Sequence, residues 1–88
     1  MAETRTNGNN PERWEKLLNL LDERLQLGLL DRLKKVSTYH FEEDLLIIEP
    51  ASKEEYEYFA REGIRQQVEL FAREACRIDV VKIKKPGA

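Results

Sequence analysis

Residues 52–76 read SKEEYEYFAREGIRQQVELFAREAC, and this stretch decides the fold. Ser52 to Glu55 has the form of a capping box, in which the serine hydroxyl accepts from a first-turn amide while Glu55 reaches back. Apolar residues then recur at Tyr56, Phe59, Ala60, Gly63, Ile64, Val68, Phe71, Ala72 and Ala75, the spacing of one stripe on a helix. The spacing predicts a single long amphipathic helix over 52–76 that lies against a sheet. On its exposed face Glu57 with Arg61 and Glu69 with Arg73 stand four apart in the favourable order, each pair worth about 0.2–0.5 kcal/mol. Gly63 costs about 1 kcal/mol relative to Ala in a helix interior. Close backbone packing on a strand or helix would account for it, as would a kink.

Upstream of this helix the apolar period is two. Ser37 to Phe41 is rich in β-branched and aromatic residues and reads as a strand with Tyr39 and Phe41 on one face. Glu42-Glu43-Asp44 makes a polar turn, and Leu45 to Glu49, closed by Pro50, makes a second strand covered on at least one side. Before these strands the period returns to that of a helix. Asn10 caps and Pro11 opens a first helix whose stripe is Trp14, Leu17, Leu18, Leu21 and Leu25, widened by Leu20. Gly28 is the expected left-handed stop. Leu29 to Val36 forms a short second helix with Lys34 and Lys35 in its last turn, making a helical hairpin with the first.

Arg77 to Lys84 follows the long helix as a third strand. Its apolar alternation shifts between Ile78, Val80 and Val81, Ile83, which points to a bulge or to contact on both faces. The expected organisation is therefore a disordered leader over 1–9, one α+β domain over 10–85 and a tail over 86–88. Its order is ααββαβ, a three-stranded sheet packed against a long helix and a helical hairpin. At 88 residues such a domain buries only about two-thirds of the surface of its unfolded chain, so large internal pockets are not expected.

The charge balance excludes several functions. Fifteen basic and 17 acidic residues give a net charge of −2, so no global field draws in nucleic acid or an anionic membrane. No apolar run approaches the ~20 residues of a membrane span, and Met1 to Asn9 carries no secretory signal. The expected location is cytoplasmic. Cys76, the one cysteine, has no internal disulfide partner and falls where a small buried apolar residue suits the long helix.

Catalytic chemistry has little to stand on. His40 is the only histidine, and Glu42 and Glu43 are near enough in sequence to orient it as a base, but no nucleophile stands at a recognisable spacing. An exposed strand histidine beside a charged turn is the simpler reading. Glu42, Glu43, Asp44 and Glu49 lack the spacing and glycine of a calcium hand, and there is no CxxC, HExxH or phosphate-cradling loop. No enzyme activity, cofactor or metal is expected.

The element order is compatible with a KH-like fold, but the GxxG loop with which KH modules clamp nucleotides is missing. The basic end at Lys82, Lys84 and Lys85 is the only candidate nucleic-acid contact. What remains is surface for protein partners. Trp14, in the first turn of the first helix, reads either as a core anchor or as a contact residue for helix association, given how often Trp carries binding energy. Tyr58, beside Phe59 at the start of the long helix, is a second candidate contact.

The run Trp14-Glu15-Lys16-Leu17-Leu18, the short second helix, a hairpin ending Ile47-Ile48-Glu49-Pro50, the long helix and the closing strand resemble a family of bacterial replication domains. The resemblance covers about Pro11 to Lys84. It is to the N-terminal domain of the replication initiator DnaA, and equally to the C-terminal KH-like domain of the tau subunit of DNA polymerase III. Trp14 matches the initiator family's first-helix tryptophan, and Leu27 to Leu33 with Pro50 to Phe71 is similar to the tau pattern. Leu29, Leu30 and Arg32 stand where the initiator family carries an aromatic residue. The resemblance implies a non-catalytic interaction domain that self-associates weakly and recruits helicase, polymerase or initiator regulators. Its expected contact residues are Trp14, Leu18, Asp31, Glu54 and Tyr58. The alternative is a KH-like nucleic-acid-binding domain that uses Lys82, Lys84 and Lys85.

Overall fold

The computed structural model describes residues 7–86. In chain order these form β1 (Asn7–Gly8), α1 (Pro11–Glu23), α2 (Leu27–Leu33), β2 (Thr38–Glu42), β3 (Leu45–Glu49), α3 (Lys53–Ala60), α4 (Glu62–Cys76) and β4 (Val80–Ile83). The domain is mixed α+β, and its order agrees with the expected one apart from the added β1 and a division of the long helix. The strands lie in the order β1-β2-β3-β4. β2 and β3 are antiparallel, whereas β1 runs parallel to β2 and β4 parallel to β3.

The strands show a single buried face. Tyr39, Phe41, Leu46, Ile48 and Val81 point into the core, with Trp14, Leu17 and Leu21 from α1, Leu29, Leu30 and Leu33 from α2, Phe59 from α3, and Val68, Phe71, Ala72 and Cys76 from α4. Thr38, His40, Glu42, Leu45, Ile47, Glu49, Val80 and Lys82 alternate onto the other face, where they are exposed or half-buried. Burying apolar surface at about 25 cal/mol per Å² on one side only is what makes the strand pattern alternate.

Local chemistry sets most of the boundaries. Asn10 accepts from the Arg13 amide at 3.2 Å, and Pro11 occupies the first helical position. Ser52 Oγ accepts from the Glu55 amide at 3.2 Å. The other half of the expected capping box does not form, because the Glu55 carboxylate accepts instead from Arg32 at 2.9 Å.

The helix expected over 52–76 is two helices. Arg61 adopts φ −61° and ψ 133°, an extended residue that ends α3 and begins α4. Close packing does not explain Gly63, since a Cβ there would meet nothing within 4 Å. Gly63 sits in the first turn of α4, where poor helix propensity does not oppose the break. Leaving the helix, Arg61 cannot pair with Glu57 four residues back. Glu69 pairs with Arg65 at 2.6 Å and not with Arg73, whose guanidinium donates to the Asp79 carbonyl at 3.4 Å.

The first helix also stops earlier than expected. Leu25 takes the left-handed conformation, φ 59°, with its amide donating to Asp22 O at 3.1 Å and the Gln26 amide to Leu21 O at 2.9 Å. That is a Schellman termination with leucine in the glycine position, while Gly28 lies inside α2. The alternation shift after Cys76 has a similar cause. Arg77, φ 61°, turns the chain at the end of α4, and buried Ile78 precedes β4, so the strand has no bulge to explain.

Part of the expected leader belongs to the sheet. Gly8 pairs with Tyr39 so closely that a Cβ would land on the tyrosine ring. The Asn9 side chain then takes the place of a third strand residue: its Nδ2 donates to Phe41 O at 2.8 Å and its Oδ1 accepts from Phe41 N at 2.8 Å. Residues 1–6 of that leader, and 87–88 of the tail, lie outside the described residues.

Candidate interaction surface

Trp14 has the most definite environment of the five expected contact residues. It is 5% exposed and lies flat on Tyr39, ring centroids 4.3 Å apart and planes 6° from parallel. Tyr39 in turn meets the edge of Phe41 at 5.6 Å. A side chain so covered offers no area to a partner, so Trp14 is a core anchor and its role as a contact residue is corrected. The reason is local. The first turn of α1 lies against β2, and Arg13 pins it there by donating to Cys76 O at 2.6 Å and Glu43 O at 3.3 Å, its guanidinium 4.7 Å from the Phe41 ring.

Leu18 lies one position round the helix from the core stripe and is half-buried. It lines a groove of about 340 Å³ between α1 and α2, together with Glu15, Asn19, Asp22, Leu30 and Lys34. Leu30 is 8% exposed, so it and Leu18 give the groove an apolar floor. Glu15 and Asp22 are exposed on its α1 side. Lys34 lines its other side, so an apolar side chain with a basic group set toward α1 would complement this arrangement.

α2 links that groove to the start of α3. Asp31 is exposed and pairs with Lys35 at 3.3 Å. Its neighbour Arg32 crosses to α3, where the guanidinium sits 4.0 Å over the Tyr58 ring and bonds Glu55. Tyr58 is therefore half-buried under an arginine, and Glu54 stands exposed in the first turn of α3. Tyr58 lies under the Arg32 guanidinium, Asp31 and Glu54 are exposed on α2 and α3, and Leu18 belongs to the groove.

Sequence reading missed Glu15, Asp22 and Arg32. Glu15, Leu18, Asn19 and Asp22 fall at i, i+3, i+4 and i+7 on α1, which is a face of its own beside the core stripe. No local signal marks Arg32.

Of the three lysines of the nucleic-acid alternative, Lys82 and Lys85 lie in different places, and Lys84 continues the β4 ladder by donating its amide to Ile48 O at 2.8 Å. Lys82 is on the open sheet face in register with Ile47, with Glu42 and Glu49 on the same face. Lys85 instead lines a second groove of about 360 Å³ with Lys53, Tyr56, Glu57 and Pro86. Among the described strand residues His40 is the one ring on the open face on which a base could stack, and its Nε2 lies 3.3 Å from Glu42.

His40, the one catalytic candidate, and the Cys76 thiol are also apart. His40 is exposed on the open face, its Nε2 3.3 Å from Glu42. Cys76 is buried on the other side of the sheet, its thiol donating to Arg13 O at 3.0 Å. Burial pushes the Cys76 thiol up from its ordinary value, against the lowering effect of Arg13, Lys16 and a backbone hydrogen bond. Among the described residues no group of three His, Cys, Asp or Glu side chains is placed to hold a metal ion, and no helix is long and apolar enough to cross a membrane.

Comparison with protein-family models, with curated proteins and with solved structures returns no match in any of the three.

Proposed function

We propose that the domain is a non-catalytic protein–protein interaction module. The observation that supports this reading best is the α1–α2 groove, where half-buried Leu18 and buried Leu30 form an apolar floor between Glu15 and Asp22 on α1 and Lys34 beyond α2. A groove of this kind suits an amphipathic helix that seats one apolar anchor and sets basic residues against the acids. The Arg32 bridge ties α2 to α3, with Tyr58 beneath the guanidinium and Asp31 and Glu54 exposed on those two helices.

The resemblance in element order and in the Trp14 to Leu18 run makes the bacterial replication machinery the first place to look for that partner. Helicase, polymerase and initiator regulators are the classes to test. Self-association through Trp14 loses its motive with that side chain in the core. Recruitment through the groove does not depend on it.

The experiment is a direct binding assay of the folded domain against purified replicative helicase, initiator and polymerase III subunits, with single-stranded DNA and RNA at low salt alongside. Binding of one protein class with no salt-steep nucleic-acid affinity supports the proposal. A folded domain that binds none of the proteins contradicts it, and nucleic-acid binding that weakens steeply with salt would revive the alternative.

A further inference from the structure

Of the eight residues of α3, only Phe59 is fully buried; Lys53, Glu54, Glu57 and Ala60 are exposed, and Glu55, Tyr56 and Tyr58 are half-buried. The helix packs on α4 and on β4. Toward the end of the chain the fit is loose, because the groove of about 360 Å³ separates Lys53, Tyr56 and Glu57 of α3 from Lys85 and Pro86, where the chain leaves β4. Toward α2 the polar tie is Arg32, which bonds Glu55 at 2.9 Å and covers the Tyr58 ring at 4.0 Å.

Both ends of α3 meet exposed chain. Pro50 is buried at the end of β3, but Ala51 and Ser52 after it are exposed. At the other end exposed Arg61 is extended, and α4 closes its own first turn with the Arg65 amide donating to Arg61 O at 2.9 Å. Raising α3 therefore breaks no hydrogen bond of α4's first turn. The closed arrangement also carries a cost. Glu55 Oε1 is buried with no hydrogen-bond partner, the one such side-chain atom among the described residues. A buried acceptor left unmet favours the state in which water reaches it.

We infer that α3 is a lid that opens as a unit about Ala51–Ser52 and Arg61 while α1, α2, α4 and the paired strands stay folded, and that Arg32 is the catch that sets how often it opens. Opening draws Phe59 out of the core and hydrates Glu55. The burial of Phe59 and the Arg32 clamp hold the lid shut; the unmet carboxylate oxygen and the loose flank beside Lys85 and Pro86 favour its release. A short element with one buried anchor and mostly exposed hydrogen bonds is where a protein opens below its global unfolding free energy.

Native-state hydrogen exchange, read by NMR amide by amide, tests this without any partner, so its outcome is independent of the proposed function. In wild type the Tyr58, Phe59 and Ala60 amides are expected to exchange about tenfold or more faster, after correction for intrinsic rates, than those of Leu21 in α1 and Ala72 in α4. Arg32→Ala is expected to speed the three α3 amides a further ~fivefold, through loss of an ion pair and a cation–π contact. Trp14→Phe weakens the core at the Tyr39 stack, which the open-lid state keeps intact. It is therefore expected to speed Leu21 and Ala72 about tenfold and to leave the α3 amides within about twofold of wild type. Amides of α3 that exchange at the rate of Leu21 and Ala72, or that follow them in Trp14→Phe, would show one cooperative unit and overturn the inference. So would α3 amides indifferent to Arg32→Ala.

Discussion

Trp14→Ala separates the two roles its position allowed. Truncating a fully packed aromatic to alanine costs about 3–5 kcal/mol from lost burial and the cavity left behind. Trp14 is 5% exposed and also stacks on Tyr39 at 4.3 Å, a contact worth a further ~0.5–1.5 kcal/mol. The expected loss is therefore about 4–6 kcal/mol, from about a third to all of the stability of a domain in the usual range of about 5–15 kcal/mol. Trp14→Phe keeps a ring over Tyr39 and is expected to cost about 1–2 kcal/mol. Urea denaturation followed by far-UV circular dichroism reads both, since it does not depend on the lost indole. A double-mutant cycle of Trp14→Leu with Tyr39→Leu should return a coupling of about 0.5–1.5 kcal/mol. Trp14→Ala with a midpoint close to wild type would refute the reasoning and return the residue to the surface.

Three further perturbations follow from the backbone and the buried acids. Gly63→Ala should stabilise by about 0.5–1 kcal/mol, because a Cβ there meets open space and the position is helical; a lowered melting temperature would reveal a close contact. Leu25→Gly should also raise the melting temperature, by relieving a left-handed leucine that is 76% exposed and loses little burial; destabilisation by more than about 1 kcal/mol would contradict the strain. Burial raises the Tyr39 hydroxyl and the Cys76 thiol, so the folded state holds both protons more tightly than the unfolded chain. Their contribution is complete below the ordinary values of 9.0 for the thiol and 10.0 for the phenol, and is lost as pH rises through the higher folded values. The urea midpoint of wild type should fall over that alkaline range, more steeply than in Cys76→Ala; a midpoint that holds level or rises would show the sign to be wrong.

The parts of this fold that could be read from sequence are those fixed within a few residues. Asn10 and Ser52 cap the helices they precede, and the strands at Tyr39–Phe41 and Leu46–Ile48 show their buried face through alternation. The break at Arg61 was hidden because Ala60 and Gly63 were counted into the apolar stripe, although both are exposed. Without them Phe59 and Ile64 stand five apart, a spacing that a continuous helix does not put on one line. Gly28 misled for a related reason: a glycine is the commonest left-handed stop, but the hydrogen bonds of the Schellman turn are closed at Leu25 three residues earlier.

The surface was less legible than the core. Leu18 was found through its neighbours and does line a groove, yet Trp14, four residues away, is buried by a tyrosine that lies 25 residues further along the chain. Arg32 over Tyr58, Asn9 against Phe41 and Glu69 on Val81 are all pairings across the fold. No periodicity announces them, because each joins a long polar side chain to a group on another element.

The most direct test of the proposed function is to compare wild type with Leu18→Lys in binding to the replicative helicase, initiator and polymerase III subunits by calorimetry. Leu18 is half-buried at the groove floor, and a lysine there replaces the apolar seat with a charge of the same sign as the basic partner that Glu15 and Asp22 favour. The account predicts micromolar-range binding to one of these proteins, weakened about tenfold or more by Leu18→Lys and unchanged by Lys82→Ala, with both variants folded. Binding that survives Leu18→Lys unchanged, or a folded wild-type domain that binds none of them, would contradict it.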